Sequence, residues 1–108
     1  MVELVKTNLD KIIEACKKHH VQSLYLFGSA ARVDDFTNES DLDFLVHYSL
    51  PQSNDQEIFF KVANAENLQE KLEKITKRKV DLIQDQNIKN KYLKYFINKD
   101  KTLVYGVS

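Results

Sequence analysis

The chain has one cysteine, one proline, no tryptophan and no net charge in its 108 residues. A lone Cys16 forms no internal disulfide, so a disulfide-stapled scaffold is excluded. It fits a reducing cytoplasm, where a small apolar thiol is expected to be buried. No apolar run approaches the roughly 18 residues of a membrane helix. The N-terminus lacks the basic-then-apolar pattern of a secretory signal, and no export is expected. No internal repeat, linker or low-complexity segment breaks the chain. Zero net charge, without aromatics interleaved with basic residues, puts direct RNA or DNA binding last among the functions.

What remains is ordinary globular material. The composition is 43% hydrophobic and 30% charged. That supports one modest core and one domain, taken as residues 1–108. The charge is unevenly spread. Residues 1–54 hold five basic and eight acidic groups, giving −3, and residues 55–108 hold eleven and eight, giving +3. The basic half carries Lys74, Lys77, Arg78, Lys79, Lys89, Lys91 and Lys94. A solvated helix face explains them best, ahead of a surface for an acidic partner or a polyphosphate.

The sharpest signal lies in the acidic half. Leu24, Leu26 and Phe27 lead into Gly28-Ser29, Arg32 follows, and Ser40-Asp41-Leu42-Asp43 opens a second apolar run, Phe44-Leu45-Val46. This reads as strand, glycine turn, connection, strand. Alternate residues of a strand share a face, so Asp41 and Asp43 point the same way. Two such charges repel unless a cation lies between them. Hard carboxylate oxygens suit Mg²⁺, which also keeps waters and substrate phosphate oxygens as ligands. Alone, Asp-x-Asp is more often a strand-start cap or an exposed pair.

A third carboxylate sharpens the reading. Val80-Asp81-Leu82-Ile83 is a short apolar run holding one acid. A lone Asp in a buried strand is costly unless it is paired or binds a metal. The structural alternative is a salt bridge to Arg78 or Lys79. If this strand neighbours the second, three carboxylates converge at one end of a sheet, as needed to hold two divalent ions about 4 Å apart for phosphoryl chemistry.

Leu26-Phe27-Gly28-Ser29-Ala30-Ala31-Arg32, then Ser40-Asp41-Leu42-Asp43-Phe44-Leu45-Val46, then Arg78-Lys79-Val80-Asp81-Leu82-Ile83 together resemble the minimal nucleotidyltransferases (MNT), the small branch of the DNA polymerase β-like superfamily. The resemblance covers nearly the whole chain. Two departures stand out. Eleven residues separate Ser29 from Asp41, one more than is usual, and Val33 stands where the family often has glycine.

The resemblance implies a small α/β (α+β) domain, a mixed sheet of about four strands packed with helices. It implies ATP as substrate and two Mg²⁺ ions on Asp41, Asp43 and Asp81, with Asp81 the general base. Gly28, Ser29, Arg32 and Ser40 fall on the nucleotide, with contact to the acceptor the other reading of Arg32. Minimal nucleotidyltransferases commonly act beside a small helical HEPN protein, an RNase toxin that they silence by attaching AMP to a tyrosine. An antitoxin of this kind is therefore expected here. The other readings are a module that neutralises its partner by contact alone, and transfer to a small molecule such as an aminoglycoside. The latter ranks lower because the drug-modifying relatives carry a further domain. Self-association through exposed sheet edges stays open.

The remaining periodicities complete the order. Leu4, Val5, Leu9, Ile12, Ile13 and Cys16 predict one helix over 3–19. His19 and His20 fall near its end, where positive charge suits the dipole. Strands are expected at Val21–Phe27, Leu42–His47 and Lys79–Gln84, with a short helix from Ala30 to Val33 and a polar loop from Val33 to Ser40. His47 is read as structural or exposed. Leu50 to Glu57 reads as a loop, and Ile58-Phe59-Phe60 as packing or, by resemblance, a nucleotide contact. Ala65–Lys77 is a helix with Leu68, Leu72 and Ile75 as its stripe and Glu70–Lys74 and Glu73–Lys77 as favourable pairs. Asn87 is expected to cap a last helix to about Asn98 with Ile88, Tyr92, Tyr95 and Phe96 inward. Thr102–Tyr105 closes the chain as a strand.

Overall fold

The computed structural model describes residues 1–33, 36–49, 68–85 and 88–106. Two short helices, α1 (Glu3–Thr7) and α2 (Leu9–Lys18), precede strand β1 (Val21–Phe27). A four-residue helix, α3 (Ser29–Arg32), leads to β2 (Leu42–Tyr48). The described part of the next helix, α4, covers residues 68–76. Strand β3 (Val80–Gln84), helix α5 (Lys91–Asp100) and strand β4 (Thr102–Gly106) complete the order.

The strands form one mixed sheet in the order β3-β2-β1-β4. β1 runs antiparallel to both neighbours, and β2 and β3 are parallel. The crossover from β2 to β3 contains α4, as a parallel pair requires. Leu24, Leu26, Phe44, Val46 and Val80 bring the sheet into the core, where Val5, Ile12, Cys16, Leu68 and Leu72 meet them, all fully buried. Burial raises the Cys16 thiol to about 12, so it is an inert apolar side chain.

The four strands fall where the alternation predicts them. The N-terminal helix does not stay whole. Asn8 breaks it at φ −102°, ψ 11°, and its side-chain amide donates to the Leu4 carbonyl at 2.8 Å. A short amide side chain competes with the helical backbone, and here it wins. The apolar stripe survives the break, because Val5, Ile12 and Cys16 all reach the core.

The last helix departs further. Its N-cap is Asn90, whose side-chain oxygen accepts from Tyr92 N–H at 2.9 Å and Leu93 N–H at 3.3 Å. Asn87 lies outside the described residues, as do Asp34, Asp35, the 50–57 loop and Ile58-Phe59-Phe60. Tyr92, Tyr95 and Phe96 do not face the core: they are 80%, 64% and 62% exposed. Only Ile97 of this helix is fully buried. Periodicity identified an apolar helix; which row turned inward was a tertiary matter.

The Glu73–Lys77 pair also gives way to a stronger demand. The Glu73 carboxylate accepts the Val80 N–H at 3.0 Å, and the Gln69 amide donates to the Val80 carbonyl at 2.9 Å. Two side chains of α4 thus hold the first residue of an edge strand, whose backbone would otherwise lie open.

Candidate active site

The glycine turn ends β1 and the acid pair opens β2, so antiparallel pairing sets them side by side. Phe27 stands opposite Asp43 in that ladder. In the parallel ladder on the other side of β2, Asp43 stands opposite Asp81. Same-register residues of neighbouring strands share a face, so the two carboxyl groups are neighbours. Asp41 sits one pleat before Asp43, half-buried. The condition for convergence, that the second and third strands be neighbours, is met.

Gly28 makes the approach feasible. Its φ of +74° lies in the region where a Cβ is strained. A Cβ built there would lie 2.6 Å from Asp43 Oδ2. The missing side chain therefore does two things: it turns the backbone into α3 and makes room for a carboxylate against the turn.

Electrostatics mark Asp43 as the crowded member. Burial, then the neighbouring Asp81 by charge and hydrogen bond, then Asp41, raise its carboxyl to about 6, while Arg32 pulls it back. Such a shift means that negative charge is under-compensated at this spot. Among the described residues no group of three or more His, Cys, Asp or Glu side chains is arranged to hold a metal ion as it stands. The donor chemistry nevertheless fits Mg²⁺, which needs only one or two carboxylates when phosphate oxygens and waters complete its shell. An anionic, half-buried carboxyl group beside another is the local charge that such an ion neutralises.

The structural alternative for Asp81 is not the one adopted. The Arg78 guanidinium instead donates to the carbonyls of Thr37 and Ser40, at 2.5 and 3.0 Å, and lies 4.7 Å over the Phe36 ring. Lys79 reaches Asp41, at 4.0 Å. Arg78 thereby pins the connection that delivers Asp41. The Ser40 hydroxyl is engaged in the same turn, accepting the Thr37 N–H at 3.0 Å and lying 3.2 Å from the Thr37 hydroxyl. Arg32 meets Asp100 at 2.8 Å. Val33, which stands where the resembled family often has glycine, has a φ of +71°, an uncommon conformation for a β-branched residue. His47 is exposed at the far end of β2.

Sequence reasoning missed the supporting roles of Gln69, Glu73, Arg78 and Asp100. Arg78 and Asp100 act 38 to 68 positions away, and Gln69 and Glu73 reach across the turn to the Val80 backbone; none of these contacts leaves a periodic trace.

This arrangement defines a class. The sequence matches the family Polymerase beta, Nucleotidyltransferase over residues 10–108, and the chain belongs to that nucleotidyltransferase family. Two Methanocaldococcus jannaschii proteins named as candidate protein adenylyltransferases are similar to it. One is 40% identical over 88 residues, covering 82% of this chain and 79% of the relative. The second is 38% identical over 92 residues, covering 85% and 83%. Among solved structures, a candidate minimal nucleotidyltransferase superposes with a TM-score of 0.72 at 20% identity, over 93% of this chain and 92% of that one. A chain from a toxin–antitoxin structure with AMP-PNP gives 0.70 at 22%, over 94% and 75%. A chain from a tri-AMPylated Shewanella oneidensis HEPN toxin in complex with its MNT antitoxin gives 0.63 at 21%, over 94% and 72%. These structures share the fold. Among the described residues no helix is long and apolar enough to cross a membrane.

Proposed function

We propose that this chain, acting as one domain in the cytoplasm, transfers AMP from ATP to a hydroxyl of a partner protein, a tyrosine of a helical HEPN toxin, and so serves as its antitoxin. The observation that carries the reading is the juxtaposition of Asp43 and Asp81 across a parallel strand pair, with the Gly28 turn against Asp43. The likeness to named protein adenylyltransferases supports the reaction class. The presence of HEPN toxin complexes among the structural neighbours supports the partner. Exposed Tyr92, Leu93, Tyr95 and Phe96 form the sort of apolar surface that is buried against another protein.

In this reading Gly28 and Ser29 seat the β- and γ-phosphates, and Arg32 neutralises phosphate charge. Ser40 shapes the nucleotide side of the cleft through the turn that it closes. Asp41, Asp43 and Asp81 would hold two Mg²⁺ ions, which neutralise the attacking and leaving oxygens of the displacement. Asp81 accepts the proton of the acceptor hydroxyl. The acceptor oxygen forms a bond to the α-phosphorus, the α–β bridging bond breaks, and pyrophosphate departs with the electron pair.

The test is transfer of label from α-phosphate-labelled ATP, with Mg²⁺, to protein in host lysate or to a co-expressed helical partner. Wild type is expected to label one protein, and Asp41→Asn/Asp43→Asn to lose at least about 10³-fold of that activity, as removal of transition-state charge stabilisation does. Label on small molecules only would move the assignment to drug-modifying chemistry. Partner rescue by the unlabelled double variant would establish neutralisation by contact.

A further inference from the structure

Arg32 and Asp100 are 68 positions apart and each is the last residue of a helix, α3 and α5. Their ion pair closes at 2.8 Å, with the Asp100 side chain 21% and the Arg32 side chain 44% exposed. Helix energetics do not account for an acid there. A carboxylate at a helix C-terminus opposes the macrodipole, where Lys or Arg would be favoured. Stability is also a poor explanation, because ion pairs this accessible to water contribute little. What the pair does supply is placement.

That placement is set by the sheet. The Lys101 N–H bonds the Ile97 carbonyl at 3.0 Å, closing α5 immediately after Asp100. β4 begins with Thr102, which pairs with Leu26, two residues before Gly28. The Lys101 ammonium rests 4.6 Å over the Tyr25 ring. Asp100 is therefore tethered to the strand end that carries the glycine turn. Arg32 ends the helix that leaves that turn, and its positive charge is felt by Asp43. A guanidinium on a long side chain has a rigid planar fork, and fixing one N–H orients the others.

We propose that Asp100 is a positioning residue that holds the Arg32 guanidinium at the carboxylate end of the sheet, oriented for the polyphosphate of the bound nucleotide. This rests on the reading that Arg32 serves the nucleotide. The geometry makes the last helix part of the substrate site without touching substrate.

The test uses the full chain and Mg-ATP, with ATP affinity measured directly by calorimetry alongside KM, kcat and Tm. Asp100→Asn is expected to weaken ATP binding and raise KM about tenfold, the loss of one well-oriented charge-assisted contact, with kcat and Tm nearly unchanged. Asp100→Glu should recover part of the affinity. In an Arg32→Ala background, Asp100→Asn should have no further effect. Equal effects with and without Arg32, or a fall in Tm with KM unmoved, would overturn the proposal. Wild type that fails to bind Mg-ATP would remove the nucleotide reading and this inference with it. Wild type that binds while Asp100→Asn binds as well would remove this inference alone.

Discussion

The carboxylate end of the sheet and helix α5 are both places where the chain keeps an unfavourable arrangement. At the first, Asp43 and Asp81 stand side by side on neighbouring strands, and burial with this neighbour raises Asp43 to about 6. At the second, Tyr92, Tyr95 and Phe96 face water while Ile97 alone is fully buried. The two differ in what relieves them. Repulsion between carboxylates is removed by one small cation or a proton. Exposed aromatic area is removed only by covering it with a large surface. The chemical step should accordingly depend on the first region, and anchoring of the last helix on Ile97 in the second.

The largest effect expected on stability is therefore at α5. Ile97→Ala empties the one buried anchor of the helix and should cost about 2–4 kcal/mol. Urea denaturation measures it. A cost below about 1 kcal/mol would mean that the helix is held chiefly by its ends, the Asn90 cap and the direct lead from Lys101 into β4.

The next effect belongs to the sheet end. Gly28→Ala adds a Cβ at φ +74° that meets Asp43 Oδ2 at 2.6 Å. Strain of this kind costs on the order of 1–3 kcal/mol. It also displaces the carboxylate, so AMP transfer should fall far more than stability does. Unchanged transfer would show that the turn and the carboxylate do not need this contact.

These two positions also show why one region was legible and the other was not. Gly28, Asp41, Asp43 and Asp81 announce themselves because strand period and ladder register turn sequence spacing directly into geometry. The four strands were legible for the same reason. Helix α5 has apolar residues at 92, 93, 95, 96 and 97, more than one face can bury. Which row turns inward depends on what the sheet already has covered, and no local pattern records that. Asn8 is similar: its competition with the helix backbone is a local physical fact that the apolar stripe masks. Arg78 and Asp100 act on groups far away in the chain, and Gln69 and Glu73 on a backbone group across a turn, so only the fold reveals them.

Asp43→Asn separates cost from use at a single carboxyl. The group is raised from 3.8 to about 6 in the fold. A folded value above the unfolded one stabilises fully at low pH, and that contribution is lost as pH rises through about 6. Asp81, Asp41 and Arg32 are the charged groups facing it. The isosteric amide does not ionise, so in metal-free protein the variant should gain on wild type between about pH 4 and 6 and hold that gain above. After discounting for water access the gain is about 1 kcal/mol, read as a rise in Tm at pH 8. Added Mg²⁺ should narrow the gap by stabilising wild type alone. A gap independent of pH would mean that burial and the neighbouring acids do not raise the Asp43 carboxyl.

The smallest effect is expected where the exposed area is greatest. Tyr92→Ser with Phe96→Ser removes two large side chains that are 80% and 62% exposed. Surface changes away from caps and networks stay within about 0.5 kcal/mol. Stability of the isolated chain should barely move, despite a loss of apolar area greater than that of Ile97→Ala. ATP affinity should hold as well, because the double variant keeps Asp100 and its 2.8 Å contact with Arg32. If the double variant instead lowered stability as much as Ile97→Ala does, the outward row would be packing against this chain, and the contrast between the two regions would fail.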